Sequence, residues 1–198
     1  MNKIILDKVN IIDLNIKEDS IVNLNNRNDI KEINIKIQNG SKLIINEYSD
    51  IEKKDYKINI YQQDNTEFIF NHSFKVNKLY NLDINIDLNG KNSKNTISIH
   101  GINDEGKSNI KIDGKVLDNT KDNELNEKVR ILNINNGSST IYPNIYINTK
   151  NVSANHTASI TNVNEDYLFY LNCKGIKNEQ AKELIINGFL NNEAKNYD

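Results

Sequence analysis

Three histidines and one cysteine are the side chains of this sequence best suited to bind a metal or attack an electrophile. His156 lies in Val152-Ser153-Ala154-Asn155-His156-Thr157-Ala158. If Val152, Ala154 and Ala158 point inward from a strand, His156 shares their parity and is buried or at an interface. Two readings stand for it: a hydrogen-bonded structural histidine, or a ligand for iron or another borderline metal, shared with a residue of a partner subunit. Imidazole ligates metals in its neutral form, which is accessible at physiological pH. His100 has the opposite parity to Ile99, which points it at solvent or a partner. His72 lies in a polar stretch between Phe70 and Phe74. Cys173 reads as a small buried hydrophobe, because the C-terminal end of a helix is the wrong end to support a thiolate.

Larger catalytic constellations are missing. The chain has no Walker A sequence, no GxGxxG between a strand and a helix, no GxSxG elbow and no HExxH pair. No CxxC supports a cluster held by this chain alone. Asp104-Glu105-Gly106 reads as a turn, since the DxDxDG spacing of a calcium loop is absent. Carboxylates are expected on solvent faces. Two of them on an outer sheet could serve a glycosidase, but the chain has no tryptophan to stack on a sugar. A carbohydrate-active hydrolase is therefore the weakest of the function classes considered, and the chain is not read as an enzyme.

The elements that must position these residues are mostly strands. Apolar residues recur with period two from Lys3 to about Ile160: Ile33, Ile35, Ile37; Ile58, Ile60; Leu82, Ile84, Ile86, Leu88; Ile97, Ile99; Ile110, Ile112; Leu132, Ile134; Ile145, Ile147. Such runs are strands with one buried face. Asn39-Gly40, Asn89-Gly90 and Asn136-Gly137 mark turns. Each fits a hairpin or the corner of a parallel β-helix, and periodicity does not separate the two. After Ile160 the pattern changes. Asn164-Glu165-Asp166 caps one short helix that ends at Gly175. A second begins near Asn178, with Ala181, Leu184, Ile185, Gly188 and Phe189 on one face. Helices this short need a docking surface, either the β body or another chain. The polar tail from Asn191 to Asp198 is expected to fray.

Composition sets the remaining bounds. The 198 residues include 39 Asn and 32 Ile, a β-prone and turn-rich mixture, and a single Pro. A net charge of -2 gives no general attraction for nucleic acid or an anionic membrane. No stretch approaches the roughly 20 apolar residues that span a bilayer, and the start MNKIILDKVN lacks the apolar core of a signal peptide. The expected compartment is the cytoplasm. One cysteine excludes an internal disulfide.

The segment from Pro143 to Leu190 resembles the end of the SufB/SufD family of iron-sulfur cluster assembly proteins, its SufD side above all. The likeness is carried by Pro143-Asn144-Ile145-Tyr146-Ile147, Asn155-His156-Thr157-Ala158-Ser159, Leu168-Phe169-Tyr170-Leu171, Lys174-Gly175-Ile176, Ala181 and Gly188-Phe189. Upstream, Asp104-Glu105-Gly106-Lys107-Ser108 and Ile110 to Val116 are similar to the family as well, so the resemblance covers Gly90 to Leu190. It implies an all-β fold, a right-handed parallel β-helix with a short C-terminal helical hairpin. Residues 1–161 would be the β-helix core, about eight coils and nearly 40 Å long at roughly 4.8 Å per coil. Residues 162–198 would be a helical segment for partner docking.

The resemblance implies a scaffold subunit of a SUF-type assembly complex. The β-helix would pair end to end with a SufB-like subunit or with a second copy of itself. The helices Asp166 to Cys173 and Glu179 to Leu190 would dock onto a SufC-like ABC ATPase through Phe169, Tyr170, Lys174, Leu184, Ile185 and Phe189. His156 would help hold a transient iron-sulfur cluster at the subunit interface, with no stably held cofactor. A structural β-helix adaptor or homodimer without cluster chemistry is the alternative. Three departures stand out: the chain is about half the family's length and lacks its N-terminal helical region; Thr157 replaces the glycine after the histidine; and Asn136-Gly137-Ser138-Ser139 stands where SufB-type proteins carry a cysteine.

Overall fold

A computed structural model describes residues 1–190. Its eleven strands all pair in parallel, which removes the hairpin reading of the Asn-Gly sites. One wall stacks β1 (Asn2–Ile4), β3 (Ser20–Asn25), the first parts of β5 (Lys42–Gln62) and β6 (Glu67–Leu88), β7 (Lys94–Asp104), β9 (Asn123–Ile134) and β11 (Val152–Asn162). The other stacks β2 (Ile11–Ile16), β4 (Glu32–Ile37), the second parts of β5 and β6, β8 (Lys107–Val116) and β10 (Ser138–Ile147). β5 and β6 bend round a corner and serve both walls, with a register shift between Ile51 and Lys53. The molecule is a parallel β-helix.

In-register pairing turns the period-two runs into interior columns. Ile12, Ile33, Ile58, Ile84, Ile112 and Pro143 form one, and Leu14, Ile35, Ile60, Ile86, Gly114 and Ile145 the next. Most of these side chains are fully buried, each contributing roughly 1.5–3 kcal/mol relative to exposure.

Asparagine does two other jobs. It supplies six of the eight non-glycine residues with positive φ, Asn26, Asn65, Asn92, Asn119, Asn135 and Asn136, at the corners where the chain turns back. On the outer faces its amides form ladders. Asn85 donates to Asn59 (3.0 Å), Asn59 to Asn34 (2.7 Å) and Asn34 to Asp13 (2.9 Å). A second ladder runs from Asn71 through Asn46 to Asn23.

After the first, the coils are longer than the 20 or so residues expected. Paired positions lie 18 residues apart at Asn2–Ser20 but 30 apart at Lys94–Glu124. The chain therefore makes fewer coils than eight, and seven stacked strands span roughly 29 Å rather than nearly 40 Å.

α1 (Glu165–Cys173) is capped as its sequence predicts, the Asn164 side chain accepting from the Asp166 amide. Gly175 follows with φ +83°, the left-handed turn that suits glycine. α2 (Asn178–Leu190) returns to lie on the outer face of β7 and β9, where Ile185, Ile186 and Phe189 pack against Ile102, Leu132 and Ile134. Leu132 and Ile134 are thus buried beneath a helix, while Leu125, Val129 and Ile131 of the same strand fill the β-helix interior. The tail from Asn191 to Asp198 lies outside the described residues.

Candidate interaction site at the open end of the β-helix

The two ends of the stack differ. At the first coil, Ile12, Leu14 and Ile16 are buried and Ile4 and Leu6 half-buried, and the free edges of β1 and β2 are only three and six residues long. At the last, the matching interior positions are uncovered: Ile141, Pro143, Ile145, Val152 and Ala154 are half-buried, and Ile147, Ala158 and Ile160 are exposed. β10 pairs with β8 alone and β11 with β9 alone, so among the described residues each presents a free edge, ten and eleven residues long. A long edge with unpaired N–H and C=O groups over an uncovered apolar layer is a template for another strand.

His156 stands on β11 in this layer, at the parity its sequence predicted, and is exposed. Its column runs Ile4, Val22, Ile45, Phe70, Ile97 and ends Glu127, His156. An apolar column thus becomes a carboxylate and an imidazole in its last two rungs. Glu127 is 3% exposed, and neither carboxylate oxygen has a hydrogen-bond partner. Its Oε1 lies where a side chain on Gly114 would stand, 2.8 Å from the Cβ that glycine lacks. Burial first, then the charge of Asp113, pushes the Glu127 carboxyl up to about 8. Carboxylates were expected on solvent faces, so Glu127 corrects that reading. Its parity with Leu125, Val129 and Ile131 was the signal that could have found it.

A second interior polar group sits deeper. Lys54 Nζ lies 3.3 Å from Glu47 Oε1 and 3.8 Å from the centroid of the Tyr56 ring. His72 stacks between Phe70 and Phe74, at 5.4 Å from each ring centroid. Its Nε2 is 3.0 Å from the Tyr80 hydroxyl, which donates when the imidazole proton is on Nδ1. Nδ1 then faces Glu47 Oε2 at 3.6 Å, too far for a good hydrogen bond. Burial pushes the His72 imidazole down to about 4, outweighing the pull of Glu47, so the ring is neutral. His72 is thus a core residue.

His100 was expected to face solvent or a partner. It is buried, because α2 covers that face and sets Phe189 edge-on to its ring, with centroids 5.9 Å apart. Cys173 was read as buried and is exposed, because α1 buries none of its residues.

The six residues picked for partner docking separate into two groups. Ile185 and Phe189 face their own β-helix, Phe189 also lying 5.4 Å from the Arg130 guanidinium. Phe169, Tyr170 and Leu184 stay exposed, at 70%, 60% and 54%, beside exposed Tyr167. Lys174 Nζ sits 5.5 Å from the Tyr170 ring centroid. The hairpin therefore uses one side to dock on its own chain and leaves an aromatic side uncovered.

These features define a class: a parallel β-helix with a long, uncovered last coil and a helical hairpin fastened to its wall. The family model for the SUF system FeS cluster assembly SufBD core domain matches residues 29–189, and the chain belongs to that family. It is 34% identical over 84 residues to the iron-sulfur cluster assembly protein SufB of Bacillus subtilis, covering 42% of this chain and 15% of that one. It is 33% identical over 103 residues to the iron-sulfur cluster assembly SufBD family protein ycf24 of Galdieria sulphuraria, covering 50% of this chain and 46% of that one. An iron-sulfur cluster assembly SufBD family protein of Staphylococcus epidermidis is 36% identical over 84 residues, 42% of this chain and 15% of its own. The chain matches less than half the length of each of these relatives.

Proposed function

We propose that the chain is a non-catalytic scaffold subunit of a SUF-type iron-sulfur assembly complex, pairing through its open end and docking a SufC-like ABC ATPase through its helical hairpin. The observation that carries this reading is the last coil. Ile141, Ile145, Ile147 and Ile160 are left uncovered beside two free strand edges, and a like edge from a SufB-like subunit or a second copy would satisfy both. The nascent cluster is cargo at that interface. His156 fits a ligand role there, being exposed on the uncovered layer. Cys173, on α1, does not belong to the strands of the open end, so thiolate ligands would come from the partner. Residues 1–161 serve as the pairing body and the segment from residue 162 as the docking element, in the cytoplasm, where the ATPase partner would find its nucleotide.

Docking is assigned to the exposed side of the hairpin, supported by Phe169, Tyr170 and Leu184, with Lys174 at its edge. Ile185 and Phe189 anchor the hairpin from behind. Calorimetric titration of the full chain with a SufC-like ATPase tests this. Phe169→Asp should weaken binding at least tenfold with the circular dichroism spectrum unchanged. Equal affinity for the variant and the unaltered chain would remove the docking assignment.

A further inference from the structure

Apolar packing holds the coils together but does not by itself choose the register of the second wall. There the second part of β5 sets Ile58 and Ile60 between Ile33 and Ile35 of β4 and Ile84 and Ile86 of β6. A slip of two residues keeps every side chain on its own face. It also lays isoleucine on isoleucine or leucine again, because Ile37, Leu82 and Leu88 continue the neighbouring runs. The corner does not lock the two walls together either, since the register already shifts there, between Ile51 and Lys53.

Glu47 and Lys54 stand on opposite sides of that corner, Glu47 paired with His72 in the first wall and Lys54 with Tyr80 in the second. Lys54 Nζ lies 3.3 Å from Glu47 Oε1 across the interior, and in the next coil the Tyr80 hydroxyl lies 3.0 Å from His72 Nε2. The rungs on either side of Glu47 and His72 are Leu24 and Ile99, so packing alone calls for apolar residues here. Stability does not explain the charges: desolvation offsets the attraction of a buried ion pair, and Glu47 Oε2 has no hydrogen bond.

We propose that these two polar bridges are a conformational device that fixes the register of one wall against the other. A two-residue slip of β5 in the second wall brings Glu52 or Tyr56 to the place of Lys54 and leaves Glu47 as a buried charge without its cation. Losing one partner of a buried pair is strongly destabilising even where replacing both is not. The slipped stack that isoleucine packing would tolerate is thus excluded. In β6 the same slip brings Lys78 or Leu82 to the place of Tyr80 and strips His72 of its hydroxyl.

Disulfide trapping in the full chain carrying Cys173→Ser reads the register directly. Lys57 and Asp83 are exposed partners on the outer face of β5 and β6, about 4.8 Å apart and within reach of a disulfide. Asn81 and Asn85, two residues to either side of Asp83, lie about 8 Å from Lys57 and beyond reach. With Glu47 and Lys54 in place, Lys57→Cys should cross-link with Asp83→Cys and at least tenfold less with Asn81→Cys or Asn85→Cys. Glu47→Met combined with Lys54→Met replaces both charges by unbranched apolar side chains. This double variant should keep its urea stability while a slipped cross-link rises to the yield of the native one. Slipped cross-links that stay as rare as before overturn the proposal. A double variant that loses its β circular dichroism overturns it too, since the pair would then supply stability and not register.

Discussion

His72 gives the sharpest test of the interior. It is buried between Phe70 and Phe74, its ring neutral and its imidazole pushed down to about 4. An unfolded chain would hold the same ring near its ordinary value of about 6.5. Between those two values the unfolded state binds a proton that the folded state refuses. Folding stability from this group is therefore complete above pH of about 6.5 and is lost as pH falls towards 4. At about 1.36 kcal/mol per unit, the loss approaches 3 kcal/mol, a large share of the roughly 5–15 kcal/mol that holds a domain folded. Other acid-sensitive groups contribute too, so the measurement needs a reference. His72→Phe keeps the aromatic stack but cannot titrate. It leaves the Tyr80 hydroxyl without its 3.0 Å partner, which should cost about 1–3 kcal/mol at pH 7.5. Urea unfolding followed by circular dichroism, from pH 7.5 to 4.5, should show the unaltered chain losing most of its initial advantage over the variant. Parallel stability curves across that range would refute the burial argument.

Two further predictions concern packing and polar ladders. A Cβ on Gly101 would lie 2.2 Å from the Phe74 ring, so Gly101→Ala should lower stability by about 1–3 kcal/mol in the same urea assay, the usual cost of overpacking. Asn59 sits mid-ladder, donating to Asn34 and accepting from Asn85. Asn59→Ala should cost about 1–3 kcal/mol, whereas Asn155→Ala, an exposed end rung with one 3.2 Å bond to Asn126, should cost less than about 1 kcal/mol. Equal losses at the two positions would show that the ladders do not act as continuous stacks.

Much of the fold was legible because β-strands report their buried face every second residue. Ile58, Ile60, Ile84, Ile86, Ile110 and Ile112 are all interior, as their alternation predicts. Periodicity carries no sign of strand direction, so Asn39-Gly40 read equally as a hairpin or a corner until the parallel register decided it. The helices were legible from their caps, but not the wall on which α2 lies. That is why His100 was expected outside and why Leu132 and Ile134 were read as interior. The open end was visible only in part. His156 was found from its residue type and its parity, whereas Glu127 was passed over because a carboxylate is ordinarily solvated, and nothing local marks the glycine on another strand that makes room for it.

The central claim is that the last coil is a pairing surface. Ile145 is half-buried in its uncovered apolar layer and far in sequence from the docking hairpin, so Ile145→Asp places a charge in the proposed interface. Sedimentation velocity of the full chain, alone and mixed with a SufB-like subunit, should show a pair for the unaltered chain and for Phe169→Asp, and a monomer for Ile145→Asp with its β circular dichroism intact. An unaltered chain that remains monomeric in both mixtures, or an Ile145→Asp variant that pairs as tightly, would contradict the account.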